Sequence, residues 1–259
     1  VIDTGVNLNH PNLRNQLWKN SGEIANNNID DDHNGYIDDV HGYNFVNHSG
    51  NPMDDNGHGS HVAGIIGGSN GIGIAPNVKI MVIKTMDQSG SGNLTDALQG
   101  IQYAIKMKAN IINASWGTNA YSKHLRSVIN EAFHQGIAFV AAAGNETNNN
   151  DQTGAFPATF SVPNVVSVAS SVHQNISDFQ LSYFSNFGIK TVPSMMPGSN
   201  IQSTWLGNGY RTLSGTSMAS PMMTGILSLS ASLQKNKGPL SWISHALCNQ
   251  STKNIPTSF

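Results

Sequence analysis

Continuous apolar runs alternate along this chain with amphipathic ones, and few folds accommodate that pattern. Val78–Ile83 reads as a strand, and the segment from Leu94 to Lys108 places Leu94, Leu98, Ile101 and Ile105 on one helical face. Ile111-Ile112 is a short strand running into Asn113-Ala114-Ser115-Trp116-Gly117, and Ser122 to Gln135 is a second helix with Gly136 just past its end. Ala138–Ala143 is apolar at every position, and Val165–Ala169 is a further strand. A strand with one wet face alternates polar and apolar residues, whereas one without polar positions is covered on both faces. The expectation is an α/β fold: a doubly wound, mostly parallel β-sheet with helices on both faces. No repeat and no linker divides the 259 residues, so 1–259 is expected to form one domain.

Sheets of this kind gather functional groups where strands end. Asp3 closes the apolar start Val1-Ile2-Asp3-Thr4-Gly5, which opens inside a strand, so preceding residues are expected. His58 lies between glycines in Asn56-Gly57-His58-Gly59-Ser60-His61, ahead of a helix. It reads either as a base that a backbone approaches closely or, with His61 on the same helical face, as half of a zinc pair. No third zinc ligand is suitably spaced. Ser217 sits in Gly215-Thr216-Ser217-Met218-Ala219-Ser220-Pro221, before the apolar helix Met222–Leu233. The first turn of a helix favours a developing anion, although an ordinary capping hydroxyl occupies the same place. Pro221 is tolerated there because early N–H groups have no intrahelical acceptor. No Asp or Glu follows Ser217, so a serine–acid–histidine chain order is excluded and the acid must come from upstream.

Charge narrows the classes further. With 13 Lys and Arg against 15 acids, nothing marks a surface for nucleic acid or anionic membrane. No apolar run reaches membrane-spanning length, and no signal peptide is visible. The lone Cys248 has no supporting neighbours and reads as packing. Five acids crowd ten residues: Asp30, Asp31, Asp32, Asp38 and Asp39. Asp30-x-Asp32-x-Asn34-Gly35-Tyr36 matches the first half of a calcium loop, with Asp38 at the next ligand position. His41 stands where such loops end in a bidentate glutamate. Asp30, Asp32, Asn34, Tyr36, Asp38 and Asp39 are therefore the expected Ca²⁺ ligands, the alternative being a solvated acidic loop.

The segments Val-Ile-Asp-Thr-Gly (1–5), His-Gly-Ser-His-Val-Ala-Gly (58–64), Ala-Ala-Ala-Gly-Asn-Glu (141–146) and Gly-Thr-Ser-Met-Ala-Ser-Pro (215–221) resemble the signature segments of the subtilisin family. The resemblance spans nearly the whole chain. It implies a serine endopeptidase in which Ser217 attacks the scissile carbonyl, His58 takes its proton, Asp3 orients His58, and the Asn145 amide holds the oxyanion. It implies that Gly90 and Gly92, with Ser115, Trp116 and Gly117, flank an extended peptide, and that Ala142, Ala143, Gly144 and Ala155 line the S1 pocket. No acid is evident in that pocket, so broad or apolar P1 residues are expected, and Trp116 narrows S4 or simply packs in the core. The loop Gly67–Ile74 is shorter than in subtilisins with a tight calcium site there, which leaves the 30–39 loop as the expected one. By the same resemblance the partners are peptide or protein substrates and a cleaved N-terminal propeptide, and the protein is secreted. A binding scaffold on the same fold, or a transpeptidase using the same acyl-enzyme, remains the alternative.

Overall fold

The computed structural model describes residues 1–175, 178–234 and 238–244, so Cys248 lies outside the described residues. In chain order the elements are β1 (Ile2–Asp3), β2 (Gly42–Asn44), α1 (His58–Gly67), β3 (Val82–Lys84), α2 (Leu94–Lys106), β4 (Ile111–Ala114) and α3 (Lys123–His134). They continue with β5 (Ala138–Ala142), β6 (Val165–Asn175), β7 (Asp178–Leu181), β8 (Ser194–Pro197), β9 (Ile201–Thr204), β10 (Tyr210–Leu213) and α4 (Thr216–Leu233). The main sheet runs β2-β3-β1-β4-β5-β6-β7, with β8 also paired to β6. All its pairings are parallel except β6–β7, and β9–β10 is a separate antiparallel hairpin.

The uninterrupted apolar character of β5 has its cause in the two layers around it. Phe139 and Ala141 pack with Ile101, Leu125 and Ile129 of α2 and α3, while Ala138 and Val140 pack with Ala219, Met223 and Leu227 of α4. Neighbouring residues of a strand face opposite ways, so both faces are covered. The exposed helices carry their own start signals: Asn93 accepts from Asp96 N ahead of α2, and Ser122 from Leu125 N ahead of α3. The buried helix α4 instead carries small residues. A Cβ on Gly225 would stand 2.5 Å from the Ile74 side chain, so glycine sets that approach.

Two expectations need correction here. The strand expected at Val78–Ile83 is β3, from Val82 only, because Ile80 bonds through both its N and its O to Gln16 and Trp18 of a loop. Pro221 is the sixth residue of α4, not part of its first turn. Its missing N–H would have bonded Ser217 O, and the Ser115 hydroxyl bonds that carbonyl instead at 3.0 Å. The β9–β10 hairpin and the short strands β2 and β8 carry little apolar pattern and are read only from the structure.

The C-terminal ends of β1, β4 and β5 and the N-termini of α1 and α4 come together on one edge of the sheet. A separate cavity of about 520 Å³, touched by Val1, Trp18, Met107 and Trp242, lies at the other ends of these strands.

Candidate active site

Asp3 ends β1 with no solvent exposure. Its Oδ1 accepts from Thr4 N at 2.8 Å and lies 2.7 Å from His58 Nδ1. A carboxylate at that distance fixes the tautomer with hydrogen on Nδ1 and leaves Nε2 as the free acceptor. His58 is the first residue of α1, and the glycines beside it have separate steric reasons. Gly57 has φ 109°, and a Cβ there would lie 2.4 Å from the Trp205 ring. A Cβ on Gly59 would lie 2.1 Å from Gly5 O and 3.1 Å from Asp3, so only glycine lets α1 start this close to β1. Burial by itself would lower the His58 pKa, but the charge and hydrogen bond of Asp3, with the charge of Asp54, outweigh it and leave the pKa raised.

His61 belongs to the scaffold. Its Nε2 lies 3.1 Å from Ile201 O and 2.9 Å from Arg211 O, which ties α1 to the β9–β10 hairpin. Burial lowers its pKa although those carbonyls oppose the shift, so it stays neutral. Its Nε2 is committed to two carbonyls, and among the described residues no group of three metal-ligating side chains includes His58 and His61, so the zinc-pair reading lacks support.

Ser217 is the second residue of α4. Its hydroxyl donates to Ser115 O at 3.0 Å, while the Ser115 hydroxyl donates to Ser217 O at 3.0 Å, a reciprocal pair that joins β4 to α4. Among the described residues, Ser217 Oγ makes no hydrogen bond to His58. Asn145 follows β5 with Oδ1 accepting from Thr216 N at 2.9 Å and Thr216 Oγ1 at 3.1 Å. Its oxygen is committed to Thr216, and the residue lines the cleft beside Ser217. Gly215 lies beside both groups: a Cβ there would stand 3.6 Å from Ser217 N and 3.8 Å from Asn145 Nδ2, in ordinary contact.

A pocket of about 190 Å³ opens beside these groups, and Ser115, Trp116, Gly117, Ala142, Ala143, Gly144, Asn145, Ala155 and Ser217 all line it. Gly144 has φ 112°, and a Cβ there would fall 2.2 Å from the Asn186 amide, so the strand exit requires glycine twice over. Trp116 also donates its indole N–H to Ile2 O at 3.1 Å and packs against the core. Gly90 and Gly92 lie outside this pocket, on a turn held by Asp87 and tied to the α1 entry through Asn56 Nδ2 and Gln88 O at 2.9 Å. Glu146 lines the pocket as well, against the expectation of none, with one oxygen accepting from Asn186 Nδ2 at 2.8 Å. Its adjacency to Asn145 was the available signal.

The acidic loop folds differently from a half calcium loop. Asp30 accepts from Asn34 N and Gly35 N, and Asp38 from Asn27 N and Asn28 N, so both carboxylates shape the loop. Tyr36 turns its ring into an aromatic cluster with Tyr43, Phe45 and Tyr103. Among the described residues, the group that could hold a metal ion is Glu23, Asp32 and Asp39, whose oxygens lie within 4.8 Å of one another. Asn34 joins them through Nδ2, which donates to Asp32 and Asp39. Burial raises the Asp39 pKa despite hydrogen bonds from Tyr103, Asn20 and Asn34. Glu23 escapes a motif search because it lies outside the D-x-D-x-N-G window and enters only through folding of the loop.

Known proteins place this geometry. Subtilisin-like protease 1 of Plasmodium falciparum is 38% identical over 249 residues, 88% of this chain and 36% of that protein. Minor extracellular protease Epr of Bacillus subtilis is 43% identical over 192 residues, 73% of this chain and 28% of that protein. The chain thus spans about a third of the length of these curated relatives. A crystal structure of a cold adapted subtilisin-like serine proteinase superposes with a TM-score of 0.75 at 35% identity, covering 94% of this chain and 78% of that one. Among the described residues, no helix is long and apolar enough to cross a membrane. A family model described as the subtilase family matches residues 1–258, and the chain belongs to that family of subtilisin-like serine peptidases.

Proposed function

We propose that the protein is a serine endopeptidase working through Asp3, His58 and Ser217 and an acyl-enzyme intermediate. The observation that carries this reading is the 2.7 Å contact between buried Asp3 and His58 Nδ1, in a subtilase chain whose Asn145 lines the cleft beside Ser217. A neutral serine hydroxyl is a weak nucleophile and needs a neighbouring base. Rotation about χ1 takes the Ser217 hydroxyl off Ser115 O and toward His58 Nε2, which accepts the proton as Oγ attacks the carbonyl. Asp3 stabilises the imidazolium formed, and His58 then protonates the leaving amine. The negative oxygen is held between Asn145 Nδ2 and Ser217 N, the amide being fixed at its oxygen end by Thr216.

The small residues Ala142, Ala143, Gly144 and Ala155 give the pocket room for a broad range of medium-sized P1 side chains, apolar ones included, with the Glu146 carboxylate as the one acid in its wall. An extended peptide pairs beside Ser115–Gly117 and the Gly90–Gly92 turn. Calcium binds the acidic loop: three carboxylates bring oxygens within 4.8 Å of one another, close enough to share one cation, and an all-oxygen donor set suits Ca²⁺. Glu23, Asp32 and Asp39 would hold it, and it would supply loop rigidity rather than chemistry. Kinship with an extracellular protease supports secretion, and a cleaved N-terminal propeptide is what the family resemblance implies. A fluorophosphonate probe tests the central reading: one label per chain on Ser217, absent in Ser217→Ala, is expected, and an unlabelled native protein contradicts it.

A further inference from the structure

The turn that delivers His58 is held by a carboxylate outside the triad. Asp54, in the loop ahead of α1, is only 6% exposed and accepts five hydrogen bonds. On Oδ1 they come from Thr4 Oγ1 (2.9 Å), Asn56 N (3.0 Å) and Gly57 N (2.9 Å). On Oδ2 they come from Ser60 N (2.9 Å) and Ser60 Oγ (2.6 Å). Helix α1 has no side-chain cap of its own because its N-cap is Gly57; of its first-turn N–H groups, Ser60 N bonds Asp54 directly, Gly59 N bonds the Thr4 hydroxyl that Asp54 holds, and His58 N bonds Asn56 Oδ1. A carboxylate also has the favourable sign at a helix N-terminus.

The same carboxylate reaches the other side of His58 through Thr4. The Thr4 hydroxyl that donates to Asp54 accepts from Gly59 N at 2.9 Å, and Thr4 N donates to the Asp3 Oδ1 that meets His58. The backbone on both flanks of His58 is thus tied, within two hydrogen bonds, to the residue following Asp3.

We propose that Asp54 is a positioning residue for His58: it locks the entry of α1 onto Thr4 so that the imidazole stays against Asp3, and its charge helps to stabilise the imidazolium. The proposal rests on His58 being the base. The other charged groups around this region are already committed. Lys84 of β3 pairs with Asp55 at 2.7 Å, Arg211 of β10 lies over the Trp205 ring, and His61 is neutral against two carbonyls. Asp3 and Asp54 are the two groups that raise the basicity of His58.

Asp54→Asn tests this, because it keeps the size, removes the charge and turns an amide group toward the Ser60 donors. With rates normalised by active-site titration, kcat is expected to fall about 10- to 100-fold with KM within about threefold of native. The acid limb of kcat/KM should move down by roughly half a pH unit. In a Ser217→Ala background, the far-downfield Nδ1 proton of His58 should weaken and titrate at lower pH in Asp54→Asn. That spectrum needs no turnover, so it separates this proposal from the triad reading: a native protein unlabelled by fluorophosphonate removes the reading, while the spectrum still decides the role of Asp54. If Asp54→Asn does not fold, Thr4→Val breaks the same link with the charge in place. A drop in kcat of fivefold or more then supports the proposal, and native kcat overturns it. An Asp54→Asn protein with native kcat, acid limb and His58 resonance overturns it outright.

Discussion

In the proposed mechanism Asn145 performs two tasks with the two ends of one amide, and substitutions can separate them. The oxygen end accepts from the N–H and the hydroxyl of Thr216, a fully buried residue whose Oγ1 also accepts from Gly144 N at 3.2 Å. Asn145→Ala strands those two donors, which costs about 1–3 kcal/mol. At roughly 2–4 °C per kcal/mol for a chain near this size, Tm should fall by about 2–12 °C. In the proposed mechanism the nitrogen end faces the developing oxyanion. Losing one such donor costs about 2.7–4 kcal/mol, a value measured on a subtilisin and carried over, which is a factor of about 10²–10³ in kcat. Asn145→Asp keeps the acceptor and both Thr216 bonds, so its Tm should stay within about 2 °C of native. Its carboxylate opposes the oxyanion, so kcat should fall at least as far as in the alanine variant. KM should change little in either, because the ground-state carbonyl is not what these donors are aimed at. The assay is hydrolysis of a chromogenic peptide amide, normalised by active-site titration, beside calorimetry. An Asn145→Asp enzyme with near-native kcat, or an Asn145→Ala enzyme that loses Tm but keeps kcat within about threefold, refutes this division of roles.

Three further outcomes follow. His58 must be neutral to accept a proton, so kcat/KM should fall as pH drops through its pKa; Asp3 and Asp54 outweigh burial, placing the midpoint above the ordinary value of about 6.5, and a midpoint near pH 5 contradicts this. Calcium at a hundred times its Kd should add about 2.7 kcal/mol, or roughly 5–10 °C in Tm over EDTA, and Asp39→Asn should abolish the increment; equal Tm values in EDTA and millimolar calcium remove the site. Gly59→Ala puts a Cβ 2.1 Å from Gly5 O, so α1 must back away from β1, costing about 1–3 kcal/mol and at least about tenfold in kcat; native values of both would show that the close approach is not required.

Residues whose role depends on local pattern were legible before folding, and those whose role depends on distant partners were not. The apolar run of β5 declared both covering layers, because each of its side chains had to meet one of them. Glycines around His58 announced a close approach, and the structure supplies the partners, Trp205 and Gly5; the contact of Gly144 with Asn186 is read only from the structure. The hydroxyl exchange between Ser115 and Ser217 left no trace in sequence, since it joins residues 102 positions apart. Glu23 joins Asp32 and Asp39 only when the loop closes, while Asp30 and Asp38, which match the motif better, fall outside that group of converging oxygens. The strand at Val78 was overextended because apolar content does not say whether a strand or a loop supplies the hydrogen bonds.

Pre-steady-state hydrolysis of an activated ester, with mass analysis of the quenched enzyme, reaches the central claim most directly. The expected result is a burst of one leaving group per chain and an acyl group on the peptide carrying Ser217, with the burst lost in His58→Ala. Turnover without a burst or adduct, or an acyl group on another residue, would contradict a Ser217 nucleophile served by His58 and Asp3.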